Sequence, residues 1–153
     1  MPISMQLSPD GIAFIQKQEG LQLTAYRDAN GHSIGYGHFI TGKEAAIIGV
    51  NLDQNSAITV EQAGELLMHD VKWAVDAVNR NVDVPLTQGQ FDALVDFVYN
   101  VGETNFRNST LLRELNAMNY DGAKAQFASW NISQGKVNQS LVARRQAETA
   151  IFV

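Results

Sequence analysis

The sequence predicts an α+β fold in which a small β-hairpin lobe and a larger helical lobe are joined by a long helix, with a cleft between them. Three observations carry this expectation. The stretch from Leu21 to about Ile40 is glycine-rich with a two-residue period, a helical period dominates from Thr59 onward, and the amphipathic run from Thr59 to Asn79 is long enough to join the lobes. With no Pro- or Ser-rich linker, the 153 residues are expected to form a single domain. Its small lobe covers about 20–58, and its helical lobe covers about 59–153 together with the N-terminal helix.

Ser8-Pro9 offers a favourable N-cap and first helical residue, and Ile12, Ile15 and Glu19 follow on one face. Gly20 then punctuates the helix, leaving Glu19 at the negative end of the helix dipole, where a carboxylate charge is disfavoured. A general acid, which must hold its proton until it is needed, suits that place. Taken alone, Glu19 also reads as a solvated helix-end residue.

Asp28 precedes Ala29-Asn30-Gly31, and Asn-Gly is a strong hairpin signal, so Asp28 should lie on a strand whose partner runs from Ser33 to Ile40. Ser33, Gly35 and Gly37 would then share one face, with Ile34, Tyr36 and His38 on the other. A face so bare lets a ligand lie against backbone. Two acids beside an exposed floor read as a cleft for cleaving sugars.

Thr59-x-x-Gln62 is a capping box opening the long helix, whose buried face is marked by Val60, Ala63, Leu67, Val71, Ala74 and Val78. Asn79 to Pro85 breaks it. Thr87 opens a second apolar helix carrying Phe91, Leu94, Val95, Val98 and Val101 and stopped by Gly102, which should form the centre of the core. Shorter helices are expected at about 109–117, 121–130 and 138–150. On the last, Arg144 and Arg145 could grip a carboxylate, but an Arg with a Glu three residues on, as at Arg145 and Glu148, reads more simply as a solvated ion pair.

At 45% hydrophobic content the chain can bury a full core, yet it has no run near the roughly 18 apolar residues that a membrane helix needs. Met1 to Leu7 lacks the basic start and apolar core of a signal peptide, so synthesis in the cytoplasm without an export address is expected. There are no cysteines, and the compartment is therefore unconstrained. The net charge of −5 argues against nucleic-acid binding, which wants a basic stripe. No Cys or His cluster supports a metal and no glycine pattern supports a nucleotide, so no cofactor is expected; the chain is expected to act as a monomer.

Glu19-Gly20, Ala25-Tyr26, Asp28 and Ser33-Ile34-Gly35-Tyr36-Gly37-His38, in this order and spacing, resemble the phage-type lysozyme (muramidase) family that includes the lysozyme of the T-even coliphages. The resemblance covers essentially the whole chain, continuing through Phe91 to Val95, Asn100 to Thr104, Phe106, Trp130-Asn131 and Leu141 to Arg145. It differs in having Ser33 where the family usually has Thr, and in placing that hydroxyl five positions after Asp28 rather than six. Were the turn not to absorb the difference, the strand period would bring His32 into the cleft in place of Ser33.

The resemblance implies a lysozyme-like fold and a metal-free hydrolase cutting the β-1,4 bond between N-acetylmuramic acid and N-acetylglucosamine in peptidoglycan. It implies catalytic roles for Glu19, Asp28 and Ser33, and substrate contacts from Phe39, Tyr99, Asn100 and Ser109, with Tyr99 and Asn100 across the cleft from the hairpin. On pattern alone, Tyr99 and Asn100 also suit core packing and helix capping. A His38 to Asp70 ion pair is implied as well. Such an enzyme would reach the cell wall after release through the membrane or on a phage particle. The rivals are a chitinase or chitosanase on the same fold, and a catalytically weak binding or structural component of a phage particle.

Overall fold

The computed structural model describes residues 3–153 and divides the chain into two compact units: residues 12–72, and a discontinuous unit formed by the residues up to Gly11 together with Trp73–Val153. The boundaries fall inside helix α1 (Pro9–Glu19) and inside the long helix α3 (Val60–Asn81).

In the 12–72 unit a three-stranded antiparallel sheet of β1 (Gln22–Asp28), β2 (Gly31–Gly35) and β3 (His38–Phe39) is followed by a short helix α2 (Ala45–Ile48). The register pairs Asp28 with Gly31, Arg27 with His32 and Tyr26 with Ser33, then slips before Gln22 meets Gly35. The strand expected to run from Ser33 to Ile40 is instead two strands. Gly35 and Gly37 have φ of 69° and 83°, a left-handed backbone that glycine adopts freely, and the chain turns between them so that His38 pairs with Ile34 and Phe39 with Ser33. Ile34, Leu52, Ile58, Ala63 and Leu66 form the core, with Ala25, Tyr36, Ile40, Ile47 and Ile48 packed against it.

The start of α3 is as the pattern predicts, the Gln62 amide N–H donating to Thr59 Oγ1 at 3.1 Å and the Thr59 N–H to Gln62 Oε1 at 3.0 Å. Val60, expected on the buried face, is exposed, because the first helical residue precedes the turn that meets the core. The helix also runs through Asn79 to Asn81 rather than breaking there; the Asn81 side-chain amide donates to the Ala77 carbonyl at 2.7 Å.

In the other unit α4 (Gln88–Val101) is the most deeply buried helix, opened by a complete Thr87–Gln90 capping box and closed at Gly102. It meets α8 (Gln139–Ile151), and the approach is close enough that a Cβ on Gly89 would lie 2.4 Å from the Ile151 carbonyl oxygen. Phe97 is the hub of an aromatic cluster, with Phe127, Trp130 and Phe106 ring centroids at 5.3, 5.5 and 6.3 Å in edge-on geometry. Between α4 and α8 lie α5 (Glu103–Arg107), α6 (Thr110–Asn116), α7 (Tyr120–Gln126) with a 3-10 turn at Phe127–Ser129, and a hairpin of β4 (Ile132–Ser133) and β5 (Lys136–Val137). The expected helix 121–130 thus ends early. Neither α5 nor the β4–β5 hairpin is evident in the sequence pattern, each being only one or two turns long.

The N-terminal segment is stitched into this unit. Met5 N–H donates to Asn79 Oδ1 at 2.8 Å and its carbonyl accepts from Asn79 Nδ2 at 2.9 Å, while Ser8 donates both its N–H and its hydroxyl to Asp92 of α4. The Ser8 oxygen also caps α1 by accepting from Gly11 N–H at 2.9 Å.

Candidate active site

Helix α1 ends on Glu19, and Gly20, at φ 75°, turns the chain into β1 while its N–H closes the last helical turn on the Gln16 carbonyl at 3.0 Å. Glu19 is thereby set at the rim of an open depression of about 440 Å³, lined also by Gly20, Leu21, Gln22, Tyr26 and Gly35. A Cβ on Gly37 would stand 3.9 Å from Glu19 Oε2, so the bare glycine of the β2–β3 turn faces the acid. Gly20, Gly35 and Gly37 leave part of the surface beside the acid without side chains.

Asp28 ends β1 next to the Asn30-Gly31 turn. Its Oδ1 accepts from the Asn30 N–H at 3.0 Å and its Oδ2 accepts from the Ser33 hydroxyl. The Ser33 hydroxyl, then the Asn30 N–H, hold the Asp28 carboxyl below its ordinary value, and it is ionised through the neutral range. Ser33 is buried, and it is this side chain rather than that of the half-buried His32 that meets Asp28. The hairpin thus pairs an ionised acid with a hydroxyl, and Glu19 ends the preceding helix in a depression whose lining includes neither of them.

Of the expected substrate contacts, Phe39 is exposed on β3, its ring over Gly31, where a Cβ would come within 3.1 Å. In the other unit Tyr99 lies half-buried near the end of α4, 6.0 Å from the exposed ring of Trp73, and the exposed Asn100 borders a cavity of about 490 Å³ that Trp130 and Arg145 also line. Ser109 is buried as the N-cap of α6, its hydroxyl donating to the Phe106 carbonyl at 2.7 Å and accepting from Leu112 N–H at 3.0 Å.

The expectation of a solvated pair at Arg145 and Glu148 is overturned. Both are buried, with Arg145 Nε 2.6 Å from Glu148 Oε1, and Arg144 binds Asp96 of α4 through Nε at 2.9 Å and Nη2 at 2.7 Å. Burial, then the neighbouring Asp96 carboxyl, push the Glu148 carboxyl above its ordinary range, opposed by Arg145. Arg145 also lies over the Phe97 ring, 5.1 Å from its centroid. These residues hold α8 to α4.

His38 is buried with Nδ1 2.7 Å from Asp70 Oδ2, as the resemblance implies, but its Nε2 is 2.8 Å from the buried Glu44. Sequence reasoning missed Glu44. Its one signal is Thr41-x-x-Glu44, a box-like pattern in which Thr41 N–H indeed donates to Glu44 Oε2 at 2.7 Å.

This architecture defines a protein of the lysozyme fold. A sequence profile described as phage lysozyme matches residues 16–148, and the chain belongs to the phage lysozyme family. By that membership it is a glycoside hydrolase of the lysozyme class, acting on peptidoglycan. It is 41% identical over 150 residues to the endolysin of Salmonella phage P22, covering 97% of this chain and 99% of that protein. It is 45% identical over 151 residues to the endolysin of Bacillus phage PZA, covering 97% of this chain but 55% of that protein, so the chain spans about half the length of that relative. Among solved structures, the muramidase domain of SpmX from Asticaccaulis excentricus superposes with a TM-score of 0.84 at 33% identity, covering 97% of each chain. Among the described residues no helix is long and apolar enough to cross a membrane.

Proposed function

We propose that this chain is an N-acetylmuramidase that cuts the β-1,4 bond between N-acetylmuramic acid and N-acetylglucosamine, with Glu19 as general acid and Asp28 and Ser33 holding the attacking water. The observation that carries the reading is the Ser33 hydroxyl donating to an ionised Asp28, while Glu19 occupies a helix end facing bare glycine. With its hydrogen committed to Asp28, Ser33 still offers oxygen lone pairs to a water hydrogen. Asp28 accepts the proton of that water as its oxygen bonds to the anomeric carbon, and Glu19 delivers its own proton to the departing glycosidic oxygen. Attack by water from the face opposite the leaving group inverts the anomeric configuration.

Phe39, Tyr99 and Asn100 supply aromatic faces and an amide for the glycan strand. The likeness to the SpmX muramidase domain supports the muramidase specificity, and that to the phage endolysins supports action on the wall of a host cell. The chain works as a monomeric single domain, without nucleic acid, reaching the wall after release through the membrane or on a phage particle.

The test is clearing of bare peptidoglycan sacculi. The wild type should clear them, and Glu19→Gln, isosteric but unable to donate a proton as an acid, should fold and leave them turbid. More than a few per cent of residual activity in that variant would remove Glu19 from the acid role.

A further inference from the structure

Glu44 is the only buried carboxylate among the described residues of the 12–72 unit, and nothing in the reaction uses it. Its Oε2 accepts from His38 Nε2 at 2.8 Å, from Thr41 N–H at 2.7 Å and from the Thr41 hydroxyl at 2.9 Å. Its Oε1 accepts from Gly42 N–H at 3.0 Å and Leu52 N–H at 3.2 Å. Burial alone would push this carboxyl up; the donors of Thr41, His38 and Leu52 outweigh it and pull it down to about 2. Glu44 is a fixed anion.

Its contact with His38 reaches the hairpin. The His38 ring faces Glu44 from the loop before α2 and Asp70 from α3, and Asp70 Oδ1 is in turn 3.5 Å from His69 Nδ1. Only an imidazolium can donate to both carboxylates at once. The backbone of β3 that carries His38 is paired to β2 on both sides of the critical hydroxyl: His38 with Ile34, Phe39 with Ser33, and Ile40 N–H to the His32 carbonyl at 2.9 Å. Asp70 is partly exposed, so water can replace its contact, but Glu44 is sealed and its contact cannot be replaced.

We propose that Glu44 is a positioning residue for the reaction: through His38 it fixes the β3–β2 pairing that aims the Ser33 hydroxyl at Asp28, and so governs turnover rather than substrate affinity. The proposal rests on the reading of Asp28 and Ser33 as the water-holding pair. A small misplacement of reacting groups is enough to cost on the order of tenfold to a hundredfold in rate without weakening binding.

The experiment compares Glu44→Gln with wild type by steady-state kinetics on a defined peptidoglycan oligosaccharide, well below both unfolding midpoints, and by 13C NMR titration of the Asp28 carboxyl. The variant should lose about tenfold or more in kcat with KM within about twofold, and its Asp28 should titrate higher, nearer an ordinary aspartate, because the Ser33 donor is no longer held. A folded variant with unchanged kcat, or with an unmoved Asp28 titration, overturns the proposal. Should Glu44→Gln fail to fold, His32→Gln decides alone, since it removes the one imidazole whose charge acts directly on Asp28: as the His38 imidazolium loses its proton with rising pH, the Asp28 carbon signal should show an inflection at the same pH, and a flat signal overturns the proposal. The NMR readings stand without catalysis. Failure of the wild type to cleave the oligosaccharide would sink the functional reading and not touch them.

Discussion

The hydroxyl at Ser33 does two things for Asp28: it orients one carboxylate oxygen, and it stabilises the charge. Ser33→Ala should therefore raise the Asp28 pKa toward its ordinary value near 3.8 and shift the acid limb of the activity profile upward, while removing the water's second partner. Initial rates from pH 3 to 7 would check this. Loss in kcat with an unmoved acid limb would mean that Ser33 holds water but does not tune the acid. Ser33→Thr should be tolerated, since threonine retains the oxygen and stiffens the rotamer. That Ser33 rather than His32 meets Asp28 was an open alternative in the sequence, because the strand period places either on the Asp28 side depending on how the Asn30-Gly31 turn is made.

Legibility at the level of elements follows the range of the interactions that make them. The capping boxes at Thr59 and Thr87, the Ser8 cap and the Gly20 stop are contacts within four residues, and each stands where the pattern predicts. The break between β2 and β3 is hidden, because glycine is as compatible with a continuous strand as with the left-handed turn that Gly35 and Gly37 adopt. Arg145 and Glu148 mislead for another reason: an i, i+3 pair looks the same in sequence whether the helix face carrying it meets water or Phe97. Glu44 has local partners in Thr41 and Gly42, but its burial against His38 of β3 and Leu52 is supplied only by the fold. The contact of α4 with α8 gives a prediction at this scale. Gly89→Ala would drive its methyl into the Ile151 carbonyl, so the helices must part, and the variant should lose about 1–3 kcal/mol in thermal or denaturant unfolding with hydrolysis otherwise intact. An unfolding midpoint equal to wild type would show that the end of α8 yields freely.

For the molecule as a whole, His38 and the raised, buried carboxyl of Glu148 both lose their contributions as pH rises, and Glu44 loses its own as pH falls, so opposed titrations bound the pH range of stability. Burial disfavours the His38 imidazolium, but the hydrogen bonds to Asp70 and Glu44 outweigh that and raise its pKa, so its contribution is complete below about 6.5 and lost as pH climbs through the raised value. Glu44, held down to about 2, contributes fully above about 4.5 and loses that contribution as pH falls toward 2. Chemical unfolding as a function of pH should give a maximum between those limits, and in His38→Gln the alkaline fall should be shallower. A second expectation follows from the net charge of −5, which repels an anionic wall. Raising salt from about 10 mM to 150 mM shortens the screening length from about 30 Å to about 8 Å, and should speed clearing of sacculi. Slower clearing would point to attractive charges at the binding surface.

The hold of Met5 on Asn79 and of Ser8 on Asp92 joins residues 74 and 84 positions apart. One compact unit is consequently written in the middle of the other, and the order of synthesis becomes part of the architecture. The sheet and core of residues 12–72 can close soon after that segment leaves the ribosome, whereas Met5 must wait for Asn79 at the end of α3 and Ser8 for Asp92 of α4, and α4 in turn for α8, which follows it in the chain. Closing loops of this length costs chain entropy that grows only slowly with the separation, so the delay is set by translation more than by the search. On a stalled nascent chain the His38–Glu44 cluster should thus become resistant to protease well before the strap from Met5 to Ser8 does.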